Sequence, residues 1–323
     1  MKRGDETVVF IRISGRNIHT ANAEGAIGNY ISLSKMFVLR RLPDGRIDYF
    51  EEPVISGNMI KHWHAIETIN ILLSMGYDKI CEYCRRYIMY RSPLSFTDEF
   101  DYIKNCAIED LHGFLSTETN IRRESIVKFS FMIPVEDIPS KYTAITHNRV
   151  GVTKEGKIDE NVMMVFKREY ASGLYGFSST LDLEFVGRSQ SDPTKVLPIE
   201  DRRIRAKAAI SALANVLSGV FGASRARAIP VINTIELICL VSKKPAPNLV
   251  HGYYMDYLRD NALRIISMEE TKLVDKDDYK VFIVGEKVSK TFREAGAKAI
   301  DCKDLVEALN KVAEVVDSWL AKQ

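Results

Sequence analysis

Cysteine and net charge are both scarce in this sequence. Five cysteines, Cys81, Cys84, Cys106, Cys239 and Cys302, are scattered over 323 residues, an odd and uneven set that excludes a disulfide framework. The formal net charge is only +2, which argues against a uniformly basic protein but leaves room for local basic stripes of the kind a nucleic-acid backbone needs. Long apolar runs are missing. The longest, near 229–241 and 126–135, are too short to span a bilayer and are interrupted by polar groups. The N-terminal MKRGDETVVF mixes acidic with basic residues and does not read as a secretory signal; no membrane partner and a cytoplasmic location are the expectation. Catalytic fingerprints are absent as well: there is no P-loop, no HExxH helix and no GxGxxG turn.

Hydrophobic residues make up 46% of the chain and charged residues 27%, enough for a sizeable core in one large domain or two ordinary ones. Residues 7–14 read as a first strand. The stretch 15–35, rich in Gly, Asn, Ser and Ala, reads as a loop. MFVLRRL, Pro43-Asp44-Gly45 and RIDYF form a β-hairpin pattern. Ser56 is a favoured N-cap for a helix reaching about Met75, with Met59, Trp63, Ile66, Ile69 and Leu73 at helical spacing and Gly76 as its stop. Residues 77–125 resemble an insertion of short helices. Residues 126–134 alternate as a strand with Val127, Phe129, Phe131 and Ile133 on one face. Further strands are expected at 162–167 and 179–187 around a flexible ASGLYGF, so this middle region could be a protruding hairpin. A helix over 201–219, a buried strand at 231–241, a helix in HGYYMDYLRDNALRI, a strand at 278–285 and an amphipathic C-terminal helix complete the chain. The order suggests an α+β fold with the sheet covered on one face, fitting a ferredoxin-like or RNA-recognition core with large insertions.

Two stretches place small residues and cations where a strand meets a helix. Ser56-Gly57-Asn58 with Lys61 would set a helix N-terminus, with its unpaired N–H groups and partial positive charge, beside an ammonium one turn in; Gly57 would let a ligand backbone approach. The plain alternative is an ordinary cap with a solvated lysine. Gly222-Ala223-Ser224-Arg225-Ala226-Arg227 sets two guanidinium forks two residues apart, suited to successive phosphates. The preceding helix opens with Arg202, Arg203, Arg205 and Lys207, at the end where cations oppose the helix dipole, which a docked anion would relieve; the alternative is a solvated charged face. Arg122 and Arg123 follow the EDLHGFLS turn, Lys35 closes the early stretch, and Tyr175 and Phe177 could stack on bases, at roughly 1–3 kcal/mol each, or simply pack. Cys81-x-x-Cys84 invites a zinc reading with Cys106 or His112, but zinc sites usually draw four ligands from recognisable pairs and only one pair is present. No metal ligand and no cofactor is assigned. Asp110 and His112 lie close together without an activated nucleophile, and a hydrogen-bonded turn accounts for them.

Taken together, PVISGNMIKHWHA (53–65), CAIEDLHGFLS (106–116) and GASRARAIPV (222–231) resemble the DevR-type CRISPR-associated backbone subunit of Cascade in its archaeal subtype I-A form. AEGAIGNYISLSK (23–35) looks like that family's early variable loop, and the likeness runs in order to about residue 260. It implies a modified RNA-recognition fold shaped as a right hand, with 1–323 as one palm-based unit, fingers at 77–125, a thumb hairpin at 140–180, and C-terminal helices and a strand at 250–323. It also implies copies stacked as a filament along a crRNA guide, which pairs with target DNA, alongside other Cascade subunits and without nuclease activity. By motif, Lys35, Ser56, Asn58, Lys61, Arg122, Arg123, Arg225 and Arg227 become the guide-backbone contacts. Related type III subunits cut RNA with an aspartate in the early loop; residues 15–35 hold no Asp, and Glu24 is their only acid. A metal-dependent ribonuclease using Glu24, Asp110, His112 and the cysteine pair is the alternative, and a scaffold that binds no nucleic acid is a third. The guide-binding reading requires Lys61 and Arg225 to face one groove.

Overall fold

A computed structural model describes residues 9–21, 25–27, 30–90, 92, 95–222 and 228–322. Its central strand is β1 (Phe10–Ala21). Ile11 and Ile13 point to one face and are buried in the main core, while Arg12, Ser14 and Arg16 point to the other, the two-residue alternation of a pleated strand. Short β2 (Gly25–Ile27) and β3 (Tyr30–Ser32) precede the hairpin β4 (Lys35–Arg41) and β5 (Ile47–Pro53). This hairpin turns at Gly45, whose φ of 86° suits glycine. Helix α1 (Gly57–Ser74) follows, then an excursion of α2 (Glu82–Arg85), α3 (Glu99–Asn105), α4 (Ala107–His112) and the ribbon β6 (Phe114–Ser116) with β7 (Ile121–Arg123). The chain returns through β8 (Val127–Phe129) and β9 (Ile133–Pro134), then runs out and back along β10 (Lys141–Val152) and the 25-residue β11 (Ile158–Asp182). Helix α5 (Ile199–Leu217), β12 (Ile232–Ser242), α6 (Tyr257–Glu270), β13 (Tyr279–Val284), α7 (Glu286–Ala295), β14 (Ile300–Cys302) and α8 (Leu305–Leu320) finish the fold. The result is a mixed α+β architecture, and among the described residues no helix is long and apolar enough to cross a membrane.

Among the described residues the main sheet has the path β14-β13-β12-β1-β11-β3-β2, with β8, β9 and β10 also pairing with β11. β1 is antiparallel to both β11 and β12. Residues of α1, α5 and α8, including Ile60, Leu213 and Val312, fill the core on the face of Ile11 and Ile13. The sheet is not covered on one face only, as the element order suggested. Ile238 and Leu240 of β12 and Val281 and Ile283 of β13 bury a second core against α6 and α7. The signal for α7 and β14 was weak because α7 is mostly charged and buries only Val288 and Phe292.

Residues 15–21 and 171–177, expected as loops, are strand. β1 pairs with β11 from Phe10↔Asp182 through Ala21↔Ala171, so ASGLYGF lies inside β11. Small residues here serve close packing rather than flexibility. Segment 250–254 lies directly on these strands: a Cβ on Gly252 would fall 2.0 Å from Gly15 O, and one on Gly176 2.1 Å from Tyr253 N. Arg16 fixes the crossing by donating to Gly252 O and Tyr254 O, both at 2.7 Å. The stretch 126–134 is likewise not one strand. It breaks between β8 and β9, and Phe131 is exposed.

The excursion is tied to the core by buried charges. Arg123 reaches Glu99 at 2.6 Å and Asp110 at 2.7 Å, with both side chains of each pair almost wholly buried, and donates to the carbonyls of Asp110, Phe185 and Arg188. The second Asp110 oxygen accepts from Arg205 at 2.8 Å and from Gly187 N–H at 2.9 Å. Truncating one partner of such a set leaves its counter-charges buried and uncompensated, which costs about 3–5 kcal/mol. Arg123→Ala is therefore expected to lose that much in urea unfolding. Arg122→Ala, one residue away but exposed, should stay within about 0.5 kcal/mol of the parent.

Candidate nucleic-acid interface

Ser56 caps α1 in extended geometry (φ −69°, ψ 141°), its hydroxyl accepting from Met59 N–H at 3.2 Å. Gly57 is needed for packing, not for ligand approach: a Cβ there would lie 2.5 Å from the Phe129 carbonyl of β8. That contact seats the helix start on the sheet and turns Asn58 and Lys61 outward. Both line a cleft of about 520 Å³ whose far wall is His112, Gly113, Phe114, Arg123 and Ser125, with Met89 at its margin. Gly113 shapes this wall. Its φ is 70°, and a Cβ would fall 2.4 Å from Arg123 O. On the β6–β7 ribbon Arg122 stands exposed opposite Leu115.

Beneath the cleft lies a buried imidazole pair. His64 Nδ1 is 2.8 Å from His112 Nε2, and His64 Nε2 is 2.9 Å from Ala209 O. Burial pushes the His64 pKa down to about 4, outweighing its bond to Ala209 O. Asp110 and His112, the acid and imidazole of the ribonuclease alternative, are both core groups: the carboxylate holds Arg123, Arg205 and Gly187 N–H, and the ring holds His64.

The remaining candidates divide. Lys35 opens β4 opposite Pro53, three residues before the α1 cap, but its ammonium sits 3.3 Å from Glu169 and 4.1 Å from the Tyr142 ring centroid. Burial lowers its pKa, but the hydrogen bond and charge of Glu169, with Tyr142, together outweigh it and leave a net upward shift. Arg123 must be corrected: its guanidinium faces Glu99 and Asp110 and is closed to an external phosphate. Arg225 and Arg227 lie outside the described residues, so their position relative to Lys61 is not given. Of the cations opening α5, Arg202 and Arg205 serve the interior, Arg203 pairs at the surface and Lys207 is exposed. Arg202 donates to Val186 O, Arg203 makes a two-pronged pair with Asp317 at 2.6 and 2.7 Å, and Arg205 is fully buried. Glu200 and Asp201 in the same first turn balance them. Tyr175 and Phe177 are core residues. Glu24 lies outside the described residues.

Helices α1 and α5 pack antiparallel. Tyr77, just past the end of α1, donates to Asp201 in the first turn of α5, and Asn215 in its last turn donates to Glu67 of α1. The start of α5 thus lies by the end of α1, and its last turn lies beside the middle of α1. Sequence reasoning passed over the cations of the β10–β11 hairpin. Lys141, Arg149, Lys154, Lys157 and Lys167 are exposed there, among exposed Tyr142, Ile145, Val150, Val152 and Ile158. Cations interleaved with apolar residues across a Thr153–Lys157 turn were the available signal.

His251, bonded to Phe131 O at 3.1 Å, is also pushed down to about 4 by burial. Each histidine has a folded-state pKa below the ordinary 6.5, so their stabilisation is complete above that value and is lost as pH falls through it toward 4. Unfolding free energy should decline over this window by up to about 1.4 kcal/mol per pH unit for each histidine. Urea titrations of His64→Gln should show roughly half the parent slope; an unchanged slope would remove His64 from this account.

Residues 13–262 match the family model described as CRISPR-associated negative auto-regulator DevR/Csa2. The chain is 41% identical to a CRISPR-associated protein Cas7/Cst2/DevR of Methanocaldococcus jannaschii, the match covering 77% of this chain and 86% of that protein. It is 33% identical to a protein of the same description from Thermoproteus tenax, over 78% and 80% of the two chains. It is 26% identical to the aCascade subunit Cas7/Csa2 2 of Saccharolobus solfataricus, over 77% and 83%. Among solved structures, a chain of a CRISPR RNA-guided surveillance complex, pre-nicking, aligns over 97% of this chain and 99% of its own with a TM-score of 0.52 at 11% identity, a likeness of fold.

Proposed function

The chain belongs to the DevR/Csa2 family of CRISPR-associated proteins, and on that footing we propose that it is a non-catalytic backbone subunit of a Cascade complex. In this role it grips a crRNA guide by its phosphates and leaves the bases free to pair with target DNA. The observation that carries this reading is the cleft in which Asn58 and Lys61, at a helix start, meet the Gly113 turn and its ribbon bearing exposed Arg122. Phosphate contacts of this kind fix register without reading sequence, which is what a guide of arbitrary sequence requires, as in other RNA-guided systems. Arg225 and Arg227, which lie outside the described residues, join the interface in this proposal by motif alone.

The sheet order β12-β1-β11-β8 with α1 and α5 on one face supports an RNA-recognition palm, because strand–helix–strand–strand–helix–strand chains of the ferredoxin-like type have this plan. The excursion over 77–125 corresponds to the fingers and the β10–β11 hairpin, within 140–180, to the thumb. Exposed Phe37, Leu39, Ile47 and Tyr49 on the β4–β5 hairpin, continuous with Tyr254 and Met255 in one cavity wall, support contacts with a neighbouring copy or another Cascade subunit. The commitment of buried Asp110 to two arginines supports the non-catalytic reading.

Protein purified without nuclease treatment should show an ultraviolet absorbance ratio raised by bound RNA; no RNA affinity at low salt would overturn the proposal. Lys61→Ala and Arg122→Ala should each reduce the salt dependence of RNA binding by about one unit of slope, and the double change at Arg225 and Arg227 by about 1–2. Labelled single-stranded RNA incubated with Mg²⁺ or Zn²⁺ should remain intact; metal-dependent cutting would sink the non-catalytic part alone.

A further inference from the structure

Cys81, Cys84 and Cys106 come together at the base of the excursion. Cys81 is the residue before α2 and Cys84 lies within that turn, while Cys106 sits between α3 and α4. Their Sγ atoms all lie within 4.8 Å of one another. All three are free thiols; Cys84 and Cys106 are buried and Cys81 is half-buried. A pair spaced C-x2-C on a tight turn, with a third cysteine from a separate segment, is the donor pattern of a thiolate metal site. A zinc ion at about 2.3 Å from each sulfur needs sulfurs about 3.8 Å apart, so closing the trio on an ion requires shifts of an ångström or less.

The surroundings suit such an ion. Ile69, Leu72, Ile80 and Ala107 pack around the sulfurs in an apolar cluster that keeps competing water away. Three thiolates on a divalent ion carry a net charge of −1. The Arg85 guanidinium is held beside them by donation from Nε to Ile80 O at 2.9 Å, the carbonyl immediately before Cys81, and by a second bond to Asp78 O. The two segments are already joined by Ala107 N–H donating to Lys79 O at 2.9 Å. Among the described residues no further His, Cys, Asp or Glu ligand atom joins the set.

We propose that Cys81, Cys84 and Cys106 bind one thiophilic divalent ion of the zinc class, with its fourth position, on the half-exposed Cys81 side, taken by water. Each thiol releases its proton to solvent on binding. The ion staples α2 to the start of α4 and closes the loop between them, and Met89 within that loop lines the cleft that holds Lys61. Metal binding stands independently of the RNA reading.

The test uses the full chain. Elemental analysis of protein purified without chelators should give about one zinc per chain, lost in Cys106→Ser and retained in Cys239→Ser. Because Cys106→Ser could fail to fold, the unsubstituted protein is stripped with chelator and Cys81 alkylation is followed by mass spectrometry. Stoichiometric Zn²⁺ should block that alkylation and chelator should restore it. Alkylation indifferent to zinc, a Cys81–Cys84 disulfide in its place, or full zinc content in Cys106→Ser would each overturn the proposal.

Discussion

The structure depends on one buried carboxylate. Asp110 offers four lone-pair directions in a site from which water is excluded, and Arg123, Arg205 and Gly187 N–H take them. Those three groups belong to the ribbon that ends the excursion, to helix α5 and to the turn after β11. Glu99 repeats the device a few ångströms away, held by Arg123, Ser189, Ser191 and the Gln190 amide. Two carboxylates and two guanidinium groups balance in charge, and their directional bonds specify one docking of the excursion on the core where apolar packing alone would tolerate several. The cleft wall at Gly113 is positioned as a consequence, since Gly113 sits between α4 and β6, whose paired strand β7 delivers Arg123.

A second constraint is the close crossing of segment 250–254 over β1 and β11. It works only because glycine occupies positions 15, 176 and 252, and because Arg16 and Ser14 donate to the Gly252, Tyr254 and Val250 carbonyls along it. Through it the C-terminal layer of α6 and α7 is joined to the strand at the centre of the sheet. Glu236 completes the join, accepting from Tyr257 OH at 2.8 Å with Arg16 3.8 Å away.

Much of this was legible in the chain. The Ser56 cap and Gly76 stop, the Pro43-Asp44-Gly45 turn and the four-residue step of Ile204, Ala208 and Ala212 are local signals, and each produced its element. What failed depended on partners distant in sequence. Gly15-Arg16-Asn17 has loop composition but is strand, because two neighbours pair with it. Arg123 and Arg205 carry the same charge as Arg122, and only the fold shows that carboxylates 13 and 95 residues away claim them. In the cleft the outward position of Lys61 was legible from its place one turn past a cap. The inward turn of Arg123 was not, because in a strand adjacent residues face opposite sides and composition does not say which side is wet. Between Cys106 and His112, the two partners the sequence offered the cysteine pair, only tertiary structure chose, bringing in Cys106 from 22 residues beyond Cys84.

The 25 residues of β11 are one continuous strand, roughly 80 Å if straight at about 3.3 Å per residue. Its C-terminal half is bonded to β1, β8 and β9 inside the sheet and its N-terminal half to β10 and, near its root at Lys167 and Arg168, to β3. The projecting arm is thus a cantilever clamped in the core, with no joint at its root. A force applied at its tip is borne along the same backbone that runs beside β1, so the arm would swing by twisting the whole sheet rather than by bending at a hinge.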